Sequence, residues 1–176
     1  MEVKILKEAG YEEAILGLSL SYSKPVDERM YIVAEKLAPR GNGHNKFLES
    51  IVAWIDVTAP LDWWAEMDTY RVGMTKQSSS TIHTLGRRRL VHSDFEEEIP
   101  HTYLSYINSC IDGKAPLSFL KKILPCGFLQ RRILCTNYKT LQNIINQRTG
   151  HKLPQWGIFL ESLKNLEHYN LIEKQE

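Results

Sequence analysis

Four polar side chains in two distant stretches of this 176-residue chain could hold an anionic or planar ligand: Arg71 in the first, and Asn137, Asn143 and Arg148 in the second. A guanidinium presents a planar fork of N–H donors that fits a phosphate, and a carboxamide donates and accepts at once. Arg71 precedes Gly73 and the polar run Gln77, Ser78, Ser79, Ser80 and Thr81. A fixed guanidinium beside N–H and hydroxyl donors can cradle a phosphate. The plainer alternatives are a helix-end arginine on a carboxylate and a solvated serine-rich loop. Asn143 falls inside a predicted helix, where asparagine is a poor former, which points to a hydrogen-bonding task. Asn137 also suits a helix cap, with Asn143 and Arg148 in solvent. The spacing of the three fans them around a helix, so they need not share one narrow face. Arg87, Arg88 and Arg89 read as an exposed basic turn or as helpers for an anionic substrate.

Composition excludes several other chemistries. Lys and Arg total 22 and Asp and Glu 21, for a net charge of +1, which argues against a dedicated nucleic-acid binder. The three cysteines, Cys110, Cys126 and Cys135, are odd in number and form no CxxC pair, so a disulfide framework or zinc ribbon is not expected and a reducing, cytoplasmic setting fits. None of the six histidines pairs with another at metal-ligand spacing, and HExxH, GxSxG and Walker motifs are absent, so no metal site is expected. The charged N-terminus lacks an apolar signal core, and no apolar run approaches the ~18 residues of a membrane span. The length suits a single domain over residues 1–176.

The elements that must position these groups follow from periodicity. Residues 1–6 alternate as a short edge strand, and 27–37 show helical spacing that Pro39 and the glycines after it end. Residues 11–24 mix helical and turn signals. The alternation of Ile51, Ala53, Ile55 and Val57 predicts a strand, after which Thr58 or Ala59 starts a helix with Pro60 in its first turn and Leu61, Trp63, Trp64, Met67 and Tyr70 largely buried. Gly73 and residues 76–81 read as a loop, and 86–99 as irregular surface. Residues 100–112 and 116–124 predict helices split by Gly113. Residues 127–136 are either an extended linker or the start of a longer helix; 138–148 is a helix, and Pro154 opens another that carries Trp156, Phe159, Leu160, Leu163 and Leu166.

In order along the chain stand His44, Leu48-Glu49-Ser50, the strand, Ala59-Pro60, the helix and Thr69-Tyr70-Arg71. The second stretch holds Leu124-Pro125, Asn137-Tyr138-Lys139-Thr140-Leu141, Asn143, Arg148 and Pro154-Gln155-Trp156-Gly157. Over residues 44–83 and 120–158 this resembles the flavin-dependent thymidylate synthases, as a divergent, phage-type member. Their first block runs histidine, Phe-Glu-His, strand, helix, Arg-His-Arg; their second runs Leu-Pro, Asn-x-Arg-Ser-Leu, Asn, Arg, Ala-Gln-Trp-Glu. Thr69 and Tyr70 replace two triplet residues, Lys139 an arginine and Gly157 a glutamate; Thr81 or Ile82 stands where the substrate loop has an arginine.

The resemblance implies an α+β, thymidylate synthase-complementing-protein-like fold, with a mostly antiparallel sheet flanked by helices. It implies FAD as cofactor, NADPH and methylenetetrahydrofolate as co-substrates, dUMP or a related pyrimidine deoxynucleotide as substrate, and a homotetramer with sites built across subunits. By position, Arg71 would lie near the FAD phosphates, Asn137 and Asn143 near flavin and nucleotide, and Ser50 on the cofactor side. Arg148 would contact the uracil ring as the catalytic cation; Glu66, Lys121 and Ser79 or Ser80 would bind dUMP. Three functions remain open: flavin-dependent methyl transfer, nucleotide hydroxymethylation, and a non-catalytic nucleotide-binding protein, which the altered triplet favours.

Overall fold

The computed structural model describes residues 1–174. Its four strands are β1 (Glu2–Ala9), β2 (Val52–Pro60), β3 (Met74–Ser78) and β4 (Leu129–Asn137), in the spatial order β1-β2-β4-β3. The sheet is antiparallel, and the described residues add eight α-helices, so the chain is α+β. The helices are α1 (Tyr11–Leu20), α2 (Glu28–Leu37), α3 (Leu61–Met67), α4 (Thr81–Thr84), α5 (His101–Asp112), α6 (Leu117–Lys122), α7 (Tyr138–Arg148) and α8 (Pro154–Leu163). By internal contacts the chain forms two compact units: one from Met1–Glu2, Val57–Thr69 and Gln77–Arg132, the other from Val3–Asp56, Tyr70–Lys76 and Ile133–Glu176.

In the first unit, Leu85, Leu90, Phe95, Leu104, Ile107, Ile111 and Leu120 form a buried cluster. The charged 86–99 stretch therefore contributes core side chains, despite its irregular backbone. Trp63 and Trp64 are fully buried with their rings edge to face. Trp64 donates its indole N–H to the Gln130 carbonyl at 2.8 Å. Arg132 lies over the Trp64 ring at 4.3 Å and pairs with Asp68 at 2.9 Å.

In the second unit, α7 packs against α8 and against a 3-10 turn over Lys46–Ser50. Leu48, Ile51, Leu141, Ile144, Trp156 and Phe159 are among its wholly buried residues. Gly10, at φ +90°, has no space for a Cβ, which would stand 2.3 Å from the Ser50 carbonyl oxygen.

Three local expectations give way to tertiary pairing. β2 continues through Pro60, whose extended backbone caps α3, so the helix begins at Leu61 rather than at Thr58 or Ala59. Residues 74–78, the last three of which fall in the loop expected at 76–81, form the edge strand β3; an edge needs little apolar surface, and polar side chains protect it. Residues 129–137 form the interior strand β4. Gln130, Arg131 and Arg132 hid its alternation, because the buried Gln130 is satisfied by bonds to the Ser79 carbonyl and Arg132 that its own segment does not show.

Candidate functional site

The polar residues of the second unit gather at the two ends of α7. At its N-terminus Asn137 is the cap: its side-chain oxygen accepts from the Thr140 amide at 2.9 Å. The preceding turn is tied to this end by three bonds. The Asn137 amide and the Thr136 hydroxyl both donate to the Gly73 carbonyl, at 3.2 and 3.1 Å, and the Thr140 hydroxyl donates to the Val72 carbonyl at 2.9 Å. Gly73 is required there. It has φ +68°, and a Cβ would lie 2.6 Å from both the Asn137 side-chain nitrogen and the Thr140 hydroxyl.

This tie places Arg71 and Asn137 on one shallow cavity of about 380 Å³, which Glu49, Gly73, Thr75 and Thr136 also line. The Arg71 side chain is exposed. An exposed guanidinium beside a carboxamide fits a phosphate-bearing group. The volume lies near the bottom of the ~300–1,000 Å³ range of small-molecule sites, so it fits a part of a dinucleotide rather than the whole.

At the C-terminus of α7 Arg148 is held by aromatic groups. Its Nε donates to the Tyr70 hydroxyl at 2.9 Å, and its Nη1 lies 3.0 Å from His151 Nε2. The guanidinium carbon stands 4.4 Å from the centre of the Trp156 ring and 5.5 Å from that of Tyr70. The Tyr70 hydroxyl donates onward to the Gln147 side-chain oxygen at 2.9 Å. Ring faces and a helix C-terminus both attract a cation, so these contacts hold the guanidinium in place.

The other expected residues are placed as follows. Asn143 is exposed and accepts from the Gln147 amide at 3.0 Å. Ser50 lies on a separate cavity of about 570 Å³ between α1 and residues 43–50, with His44, Lys46 and Glu49. Glu66, Ser79, Ser80 and Lys121 belong to the first unit. There Glu66 is half-buried and Lys121 exposed; Ser79 spends its amide on the Arg131 carbonyl, and Ser80 precedes α4. The structure thus brings Arg71 to Asn137, and places Arg148, Asn143 and Ser50 elsewhere in the same unit.

Sequence reasoning missed Tyr70, His151 and Trp156 as the surroundings of Arg148. The sequence marks Tyr70 as a buried helix residue and a replaced triplet member, and Trp156 as an apolar helix residue and part of the second block, without joining either to Arg148. It also missed two polar networks. Lys139 donates to the Asn45 side-chain oxygen, while Asn45 donates to Gln142 and to the Ala38 carbonyl. Lys139 is thereby tied into the structure. Glu8, Glu167 and His168 are one group with metal-ligand geometry among the described residues. Their sequence separation hides them, and Glu8 already bonds the Tyr138 hydroxyl, the Glu167 amide and His168.

No protein-family model matches the chain, and no curated protein does. Solved structures do match. Thymidylate Synthase X (ThyX) from Helicobacter pylori, solved with FAD and dUMP, superposes with a TM-score of 0.85 over 98% of both chains at 14% identity. A second structure of the flavin-dependent ThyX from that organism, complexed with FAD and dUMP, gives 0.84 over 98% of both chains at 15% identity. The chain has the ThyX fold. At such identity the likeness is one of backbone, and it bears out the expected architecture. Among the described residues no helix is long and apolar enough to cross a membrane.

Proposed function

We propose that this protein is a divergent, phage-type flavin-dependent thymidylate synthase-like enzyme. In this reading it binds FAD and dUMP, or a related pyrimidine deoxynucleotide, and transfers a one-carbon unit from methylenetetrahydrofolate with NADPH as reductant. It acts as a cytoplasmic homotetramer and uses no metal. The observation that supports it best is the shared cavity of Arg71 and Asn137, within a fold whose solved representatives carry FAD and dUMP.

Bound flavin would supply the hydride. The chain's own residues would then do the following. Arg71 neutralises a phosphate of the cofactor, and Asn137 offers its side-chain N–H₂ beside it, since its oxygen is committed to the cap. Ser50 and Asn143 stand on the cofactor side. Arg148 would hold the pyrimidine and stabilise negative charge developing on its ring. Glu66, Ser79, Ser80 and Lys121 serve the nucleotide.

A second reading is a non-catalytic nucleotide-binding protein on the same fold. Tyr70 supports it: where the family has the triplet's histidine, this side chain is buried and bonded to Arg148. The visible spectrum of purified protein incubated with FAD separates the two. A flavin spectrum is expected for the enzyme, and a colourless protein would overturn that reading. With flavin bound, a dUMP-dependent assay with NADPH and methylenetetrahydrofolate should yield dTMP; a hydroxymethylated product would instead make it a nucleotide hydroxymethylase.

A further inference from the structure

Tyr70 and Gly73 are three residues apart, yet they contact opposite ends of an eleven-residue helix. That helix spans about 16 Å, close to what three extended residues and a tyrosine side chain can reach. Residues 70–73 therefore run alongside α7, with the Tyr70 hydroxyl at its C-terminal end. Tyr70 is only 8% exposed, and its ring stands edge to face with Trp156 at 6.1 Å. Its hydroxyl receives the Arg148 Nε–H and passes its own proton to Gln147, so both its donor and acceptor directions are fixed. The Lys76 ammonium bonds the Tyr70 carbonyl at 2.9 Å and fixes the backbone of the same residue.

We propose that Tyr70 is a positioning residue for Arg148: its hydroxyl and ring, with Trp156 on the neighbouring face, set where the guanidinium presents itself to a pyrimidine nucleotide. The residue at the altered triplet then works on the substrate side, through Arg148, rather than on a flavin phosphate. A histidine cannot replace it in kind, because the shorter imidazole does not carry a hydroxyl to the far end of the helix. This rests on the reading of Arg148 as the nucleotide contact.

The test is Tyr70→Phe, which keeps the ring and removes the hydroxyl. Two measurements are made on the full-length protein. The first follows the Arg148 Nε–H resonance in ¹⁵N-correlated NMR, assigned by its loss in Arg148→Lys; no nucleotide is needed. The second is calorimetric titration with dUMP. Tyr70→Phe should shift the Nε–H resonance toward that of a solvated arginine and weaken dUMP binding about tenfold or more, the effect of losing one bond to a charged donor. Thermal unfolding should stay cooperative. In an Arg148→Ala background the same substitution should cost no further dUMP affinity, a result that a merely structural Tyr70 would not give. If wild type binds dUMP and Tyr70→Phe binds it equally well, the positioning role is overturned while the nucleotide reading survives. If wild type does not bind dUMP, the nucleotide reading fails and takes the proposal with it, whatever the resonance does.

Discussion

The two ends of α7 carry the same kinds of polar group and use them differently. At the N-terminus the carboxamide of Asn137 spends one atom on the helix and faces a cavity that the exposed Arg71 also lines. At the C-terminus the guanidinium of Arg148 is surrounded by the chain's own side chains: the Tyr70 hydroxyl, His151 and the face of Trp156. An arginine left exposed is a floppy point of attraction, and ordering it costs conformational entropy when a ligand arrives. One stacked on an indole and hydrogen-bonded through Nε has met that cost on folding, and so presents a defined geometry. One end thus suits a flexible, charged ligand part, and the other a planar group that must be oriented.

Removing the oriented group should have the largest effect. Arg148→Ala is expected to lower dUMP affinity about hundredfold while the fold persists. Unchanged calorimetric binding would mean that the C-terminal end is not the nucleotide end.

Gly73→Ala attacks the opposite end. It adds a Cβ at positive φ against two side chains that are pinned by hydrogen bonds, and should destabilise the protein by about 2–4 kcal/mol in urea unfolding. A loss below about 0.5 kcal/mol would show that the 71–73 turn is not held as described.

Tyr138, the first residue of α7, sharpens the contrast through pH. Burial first, and then its bond to Glu8, hold its phenol well above the ordinary 10.0. A raised native value means that the stabilisation is complete below pH 10.0 and is lost as pH climbs beyond it. Tyr138→Phe should therefore cost about 1–2 kcal/mol at neutral pH, because the half-buried Glu8 loses a donor, and should flatten the decline in melting temperature above pH ~10. An equally steep alkaline decline in the variant would refute the assignment.

The smallest structural effect belongs to Arg71→Ala. Its stability should stay within about 0.5 kcal/mol of wild type, as for most exposed positions. Its FAD affinity should nevertheless fall, measured by flavin fluorescence quenching. Unimpaired FAD binding would remove the N-terminal end from the cofactor side.

Helices and caps were legible wherever local chemistry decides them. Asn137 caps α7 and Pro154 opens α8, each at the residue its type announces. The strand β2 was legible because alternate residues from Ala53 to Ala59 are buried. β3 and β4 were not. Their polar residues are satisfied by neighbouring strands and side chains, and pairing of that kind leaves no periodic trace in one segment.

For the candidate site the sequence named the polar groups, and it placed Asn137 and Arg148 at the two ends of one helix. It could not say that Arg71 shares a cavity with Asn137, because that depends on three hydrogen bonds between residues far apart in the chain. Nor could it say that Tyr70 and Trp156 enclose Arg148. Amino-acid type and local spacing determine which groups are available and which helix carries them. Only tertiary packing decides which face a cavity and which are held by their own neighbours, since those partners come from segments that the chain order keeps apart.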